Sequence, residues 1–396
     1  MKTRNPISTI KLWAITATAM ILTAAFQSAS ADTEIYQKTL LSTTWVLAKS
    51  EGQTSSGAGV LVDAEKKLVI TNAHVVGTAR AAVLFFPEVK DGVPIVERSH
   101  YLDNVKKLGV RGRVVCVDRK RDLALIELDR IPEGSVPIAL AAESVKPGES
   151  VESIGNPGTT EALWVYSSGT VRSVYKKAFS TGAGEHDFKV VETQAPINSG
   201  DSGGPVVNAQ GELIAIAQAI SPKARLVTYC VDIAEIRGLL EGPWKPAPLP
   251  ITDVLTKADL TWKEHTTGHL EVSFEQKDKS TQTVFVSRET EYFERADVRR
   301  VWALASTAKQ APTTEVMMDL LQQNARTKMG AWTVEKTDQS EYLIIYCVKL
   351  DATASPDAVK STMEYVAQLT SVSKKTLQPK QDSQTASQTL DAWLAK

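Results

Sequence analysis

Between Thr33 and Leu240 the chain is a succession of short β-rich runs with turn residues between them: AGVLVD, KLVITNAHVV, AAVLFF, GRVVCVD, LALIEL, ESVESIG, FKVVETQ, GPVVN and GELIAIAQAI. Many short strands with no helices alternating between them exclude a parallel α/β sheet and predict an all-β barrel or sandwich. Helical signals are sparse here. One short segment lies near Glu34–Leu41, and VDIAEIRGLL closes the region as a short helix.

The composition then changes. EGPWKPAPLP holds Pro243, Pro246, Pro248 and Pro250 and reads as an extended linker over 243–257. Beyond it, 258–378 predicts a smaller α+β domain. HLEVSFEQ and STQTVFVSRE read as strands, and AWTVEKTD with EYLIIYCVKLD as a hairpin. PTTEVMMDLLQQNARTKMG reads as an amphipathic helix capped by Thr313 or Thr314. SPDAVKSTMEYVAQLTSVSKKTL starts with Ser355 as cap and Pro356 at the first helical position. A polar tail, 379–396, completes the chain. The 396 residues, 43% of them hydrophobic, suffice for a full core in each domain.

The first residues form a unit of their own. Lys2, Arg4 and Lys11 precede an apolar run from Leu12 to about Phe26, and Ala29 and Ala31 stand in an A-x-A arrangement before Asp32. This predicts a signal peptide over 1–31 with cleavage after Ala31, and a protein that is exported, periplasmic or secreted. An uncleaved anchor helix is the rival, disfavoured by a run shorter than the ~20 residues of a bilayer span. Cleavage takes the net charge from −1 to −4. Neither value calls for nucleic acid or an anionic membrane as partner. The three cysteines, Cys116, Cys230 and Cys347, lie in apolar runs and read as small buried hydrophobes.

Three segments carry chemistry, in the order His, Asp, Ser: TNAHVV with His74, RDLALIEL with Asp122, and NSGDSGGP with Ser202. A serine hydroxyl becomes a nucleophile when a neighbouring base takes its proton, and imidazole has the right pKa for that. A carboxylate holds the imidazole tautomer and stabilises its charged form. Backbone N–H groups, here those of Gly200 and Ser202, supply donors for the oxyanion. A single histidine at a strand end or a single aspartate before a strand is more often structural. GDSGGP is a stronger signal, and the three together in a β-rich context point to a catalytic triad. His265 and His269, four apart in TWKEHTTGHLEV, read as exposed turn histidines, with no third ligand near them. No metal or other cofactor is expected.

On these motifs, together with SGAGVLVD, ESIGNPG, SSGTV and GELIAIAQAI, the segment 33–242 resembles the trypsin-like serine proteases, and within them the HtrA/DegP family. The resemblance implies two perpendicular six-stranded barrels, with His74 and Asp122 on the first and Ser202 on the second. It implies a specificity pocket based on Pro196 with Ile197 beside it. It also implies that Gln218–Ala219–Ile220 pairs with the substrate backbone, with Gln218 within reach of Asp122 and Ile220 narrowing the pocket mouth. With no acid at the base, the pocket suits small aliphatic residues. The expected activity is a serine endopeptidase cutting unfolded or misfolded exported polypeptides. A regulatory or binding protein whose C-terminal domain holds a partner is the alternative, and a homo-oligomer stays open.

Two departures stand out. Asp201 replaces the asparagine usual in that family; lacking the Ile-Val-Gly-Gly terminus that such an aspartate pairs with in the digestive enzymes, it is expected to be solvated or to find a local basic partner, with an activation switch as the rival. No PDZ-like carboxylate-binding loop follows the protease region; the strand–helix order there faintly resembles a secretion-chaperone-like fold. Trp244 is expected to pack on the protease surface, and KKLGVRGR to be a solvated loop before a strand.

Overall fold

The structure is a computed structural model that describes residues 33–377, apart from 51–52, 183, 221–226, 295 and 339. The expected signal peptide and the polar tail lie outside the described residues. The chain divides into two units, Met1–Ala247 and Pro248–Lys396.

In the first unit, helix α1 (33–40) leads into β1 (Thr43–Ser50), β2 (Gln53–Asp63), β3 (Leu68–Thr71), the short helix α2 (Ala73–Val76) and β4 (Ala81–Phe85). An insertion follows, with a ribbon of β5 (Val89–Lys90) and β6 (Val93–Pro94) and two short helices, α3 (Arg98–Asp103) and α4 (Val105–Leu108). Then come β7 (Val110–Asp118) and β8 (Leu123–Leu128). Strands β1-β2-β3-β8-β7-β4 close a barrel. The second closed barrel is β10-β11-β14-β13-β12-β9, built from β9 (Ser150–Gly155), β10 (Val165–Thr181), β11 (Gly184–Thr193), β12 (Pro205–Val207), β13 (Leu213–Ile220) and β14 (Thr228–Asp232). The expected double barrel is therefore present, with its strands in the expected runs. KKLGVRGR departs from expectation, since its first residues form α4.

The burial pattern of each strand follows from where its two faces point. In β7 buried and exposed residues alternate; Val110 and Val114 fill the first barrel, and past a bulge Cys116 joins the seam. Strand β8 is apolar almost throughout because both its faces are covered. Ala124, Ile126 and Leu128 fill the first barrel. Leu123 and Leu125 join Val60, Ile70 and Cys116 against Phe188, Val190, Leu213, Ile216 and Val231 of the second barrel. This shared cluster is the seam between the barrels. Helix α5 (Ile233–Leu240) closes the unit, capped by Asp232, whose side chain accepts from Ala234 N, and it buries Ile233, Ile236 and Leu239.

The second unit is an antiparallel sheet with helices, the expected α+β fold. Its strands are β15 (Trp262–Glu264), β16 (Leu270–Glu275), β17 (Thr281–Val286), β18 (Glu291–Phe293), β19 (Ala296–Ala308), β20 (Ala331–Lys336) and β21 (Tyr342–Asp351), in the order β15-β16-β17-β19-β21-β20 with β18 on β19. Helices α6 (Ile251–Lys257), α7 (Thr314–Arg326) and α8 (Pro356–Leu377) contribute Ile251, Leu255, Leu320, Val359 and Met363 to its core. Thr313 Oγ1 caps α7 through Val316 N (3.3 Å), and Ser355 Oγ caps α8 through Ala358 N (3.2 Å). His265 and His269 are half-buried rather than exposed. Their rings pack edge-on against Phe285 and Trp302.

The expected linker 243–257 is mostly structured. Helix α6 belongs to the core of the second unit. On the other side, Trp244 Nε1 donates to Leu239 O (3.0 Å), and Val117 N donates to Lys245 O (2.9 Å), which extends the hydrogen bonding of β7. Prolines remove N–H donors, and they do not prevent the residues between them from accepting. The described Cys116 and Cys230 are buried and Cys347 is half-buried; all three are free. A chain ending at Ala247 should fold with the melting temperature of the intact first unit. One ending at Glu241 loses the Val117–Lys245 bond and should melt several degrees lower in calorimetry. Equal melting of the two would show that residues 243–247 contribute nothing to the barrel.

Candidate active site

His74 sits on α2, just after β3 ends. Asn72 is the residue before the helix, fully buried, and Ala73, Val75 and Val76 pack inward. That leaves the imidazole on the outer side, 28% exposed. Asp122 opens β8 in a left-handed conformation, φ 53°, which aspartate tolerates better than most residues. Two hydrogen bonds hold it there: Asn72 Nδ2 donates to its carbonyl (2.8 Å), and its own N–H donates to Arg119 O (3.2 Å).

The carboxylate of Asp122 is 1% exposed and receives three N–H donors. His74 N donates to Oδ1 (3.0 Å); His74 Nδ1 (2.7 Å) and Gln218 Nε2 (2.9 Å) meet Oδ2. An ionised carboxylate buried at the seam needs such compensation. Because Asp122 is an acceptor, the proton of neutral His74 sits on Nδ1, and Nε2 is left with its lone pair for another partner. The expected contact of Gln218 with Asp122 is thus made, and it comes from the second barrel.

Ser202 lies in a turn between the barrels. Its carbonyl accepts from Ala58 N (2.8 Å), Gly203 N donates to Ala217 O (2.9 Å) and Gly204 N to Asp201 O (3.0 Å). Gly200 and Gly203 take φ of 103° and 88°. A Cβ at Gly203 would come within 2.1 Å of Ala58 O, and one at Gly200 within 2.4 Å of Asn156 O. Both glycines are therefore required by conformation and by space. Ser202 Oγ donates to Gln218 O (3.1 Å), and among the described residues no hydrogen bond joins it to His74. The amides of Gly200 and Ser202 donate to no backbone carbonyl among the described residues. The Ser199–Gly200 peptide is oriented by Gly158 N, which donates to Ser199 O (2.7 Å).

The pocket residues are distributed differently from expectation. Pro196 is exposed and forms no buried floor. Ile197 points into the core of the second barrel with Ala195, Val206 and Ala217. Alternation along the strand-like 195–197 segment accounts for this, since neighbours one residue apart face opposite ways. Thr228, buried on β14, anchors this segment through Oγ1 to Ala195 O (2.7 Å). Ala219 and Ile220 pair with Tyr229 and Thr228 along β13; their side chains lie outside the described residues.

Asp201 is 7% exposed, not solvated, and of the two expected outcomes the local basic partner, Arg98, is the nearer. Oδ2 accepts from Asn198 N (2.7 Å), while Oδ1 is buried with no partner among the described residues and packs on Gly155, where a Cβ would come within 2.1 Å. Burial pushes its pKa up to about 6, against the opposing pull of the Asn198 N–H and the Arg98 charge.

Residues 57–216 match the trypsin-like peptidase family model. The chain carries a trypsin-like peptidase domain. Its curated relatives are HtrA-type proteases. Serine protease HTRA1A of Danio rerio is 32% identical over 185 residues, 46% of this chain and 33% of that protein. The putative serine protease HhoB of Synechocystis is 26% identical over 226 residues, 55% of this chain and 48% of its own. The chain thus spans a third to a half of the curated relatives it matches. The active form of the Rv3671c protease of M. tuberculosis overlaps 54% of this chain and 86% of its own at 20% identity, with a TM-score of 0.43. The peptidase match covers His74, Asp122 and Ser202 but leaves the second unit unmatched.

The raised pKa of Asp201 has a consequence for stability. The folded peptidase domain holds this proton more tightly than the unfolded chain, whose carboxylate titrates near 3.8. Stability therefore falls as pH rises from about 4 to about 6, and above that the buried charge costs on the order of 2–3 kcal/mol. Asp201→Asn should raise the melting temperature at pH 8 and leave it nearly unchanged at pH 4. A gain of the same size at both pH values would show that charge is not the source.

Proposed function

We propose that the chain is a serine endopeptidase that cuts exported, unfolded or misfolded polypeptides, with Ser202 as nucleophile, His74 as general base and acid, and Asp122 as the orienting carboxylate. The observation that carries this is the buried Asp122 carboxylate bonded to His74 Nδ1 at 2.7 Å and braced by Gln218 Nε2, beside a serine on a glycine-enclosed turn. The basic-then-apolar residues 1–31 support the export part of the reading.

In the reaction, Ser202 Oγ leaves the Gln218 carbonyl, turns to His74 Nε2 and gives up its proton as it attacks the substrate carbonyl carbon. Catalytic hydrogen bonds are often looser in the free enzyme and tighten with substrate bound. The new oxyanion takes hydrogen bonds from the N–H groups of Gly200 and Ser202. The imidazolium, stabilised by Asp122, then protonates the leaving amine. Water, activated by His74, hydrolyses the acyl-enzyme and restores Ser202. Every proton moved in this cycle is carried by His74.

Specificity is read from Pro196, Ile197 and Thr228, none of which carries a charge. A Lys or Arg side chain buried there would lose hydration without a counter-charge, whereas small aliphatic side chains would not.

A fluorophosphonate probe should label the protein at Ser202. Ser202→Ala should abolish labelling and lower turnover by about 10⁴-fold or more; near wild-type hydrolysis in that variant would remove Ser202 from its role. A peptide-library digest should show cleavage after Val or Ala and little after Lys or Arg. Cleavage mainly after Arg would overturn the pocket reading and leave the triad assignment untouched.

A further inference from the structure

The insertion between β4 and β7 reaches the loop that follows β9. Glu97 and Ala162 form an isolated β-bridge, and Leu163 N donates to Val96 O (2.8 Å). At the start of α3 the insertion presents Arg98. One nitrogen of its guanidinium, Nη2, donates to Asn156 O (2.9 Å) and to Pro157 O (2.9 Å), and Nε donates to Thr160 O (3.3 Å). The guanidinium also lies 5.0 Å over the Trp45 ring of the first barrel. Three carbonyls of one loop thus converge on one side chain, and a planar guanidinium suits that arrangement in a way a lysine ammonium does not.

The gripped loop touches the oxyanion turn at two points. Gly158 N donates to Ser199 O at 2.7 Å. Asn156 O lies against Gly200, where a Cβ would sit 2.4 Å from it. In a planar trans peptide the C=O and the N–H point in opposite directions. Holding the Ser199 carbonyl on Gly158 therefore turns the Gly200 N–H the other way, away from that loop. Were the loop released, the Ser199–Gly200 peptide would lose the bond that selects this orientation. Glu161 and, less strongly, Asp201, next to Ser202, attract the Arg98 charge as well.

We infer that Arg98 is a positioning residue for the oxyanion hole, acting through the 156–160 loop and the Ser199 carbonyl on the Gly200 N–H. The inference rests on the serine endopeptidase reading above. Arg98 touches neither substrate nor nucleophile; it selects one of two orientations of a single peptide plane. A donor aimed at the oxyanion contributes in the transition state and little to substrate binding, so its loss lowers kcat with KM held.

The test compares Arg98→Met and Arg98→Lys with the wild-type full chain in hydrolysis of a peptide ester, in the rate of fluorophosphonate labelling and in thermal melting. Arg98→Met should lower kcat and the labelling rate together, by about 10- to 100-fold, short of the 10²–10³ lost when an oxyanion donor is removed outright. KM should stay within about threefold. Arg98→Lys keeps the charge over Trp45 without the fork and should fall between the two; it decides the matter if the Met variant does not fold. Labelling and kcat within about twofold of wild type in either folded variant would overturn the inference, as would a rise in KM that accounts for the whole loss. A wild-type chain that takes no label at Ser202 would instead defeat the endopeptidase reading, and the inference with it.

Discussion

A charged group removed from water must be met by enough donors, and the Asp122 carboxylate imposes that demand at the seam of the two barrels. Two of its donors, both from His74, come from the first barrel, and the third, Gln218 Nε2, from the second. Asn72, buried beside it, holds the backbone of Asp122 in its left-handed turn. Leu123 and Leu125, next along β8, join Phe188, Leu213 and Ile216 in the apolar cluster of the seam. The apolar cluster makes the carboxylate costly to leave unpaired, and the pairing in turn aligns the imidazole. Packing and chemistry thus constrain the same few residues.

Much of this arrangement was legible in the sequence, since local patterns carry it. The β-rich runs between turns announced a barrel or sandwich. His74, Asp122 and Ser202 were each marked by their flanking residues, and the three together by their order. The glycines around Ser202 were legible because a positive φ and a close carbonyl leave no room for a side chain. The resemblance to HtrA-type proteases supplied what periodicity cannot, including Gln218 as a neighbour of Asp122.

What was not legible depends on contacts between segments far apart in the chain. Asp201 looks like a loop residue by its neighbours, and only the approach of Gly155 and the hydrogen bond from Asn198 show that its side chain turns inward. Pro196 and Ile197 were placed by family position, but which of the two faces the barrel core depends on the phase of the strand. The proline-rich stretch read as a linker by composition, although Lys245 O serves β7 and Ile251 and Leu255 serve the second core. Arg98, in an insertion with no motif of its own, gave no local signal; ESIGNPG, the segment that it grips, did.

The division of the site across the seam also sets an order of events in time. In chain order the strands of the first barrel, with His74 and Asp122, precede Ser202 and Gln218. Until β13 is in place, the Asp122 carboxylate lacks its brace from Gln218. On the proposed reading, hydrolytic competence needs both barrels to have formed. A chain whose second barrel has not closed cannot, on that reading, yet cut its neighbours.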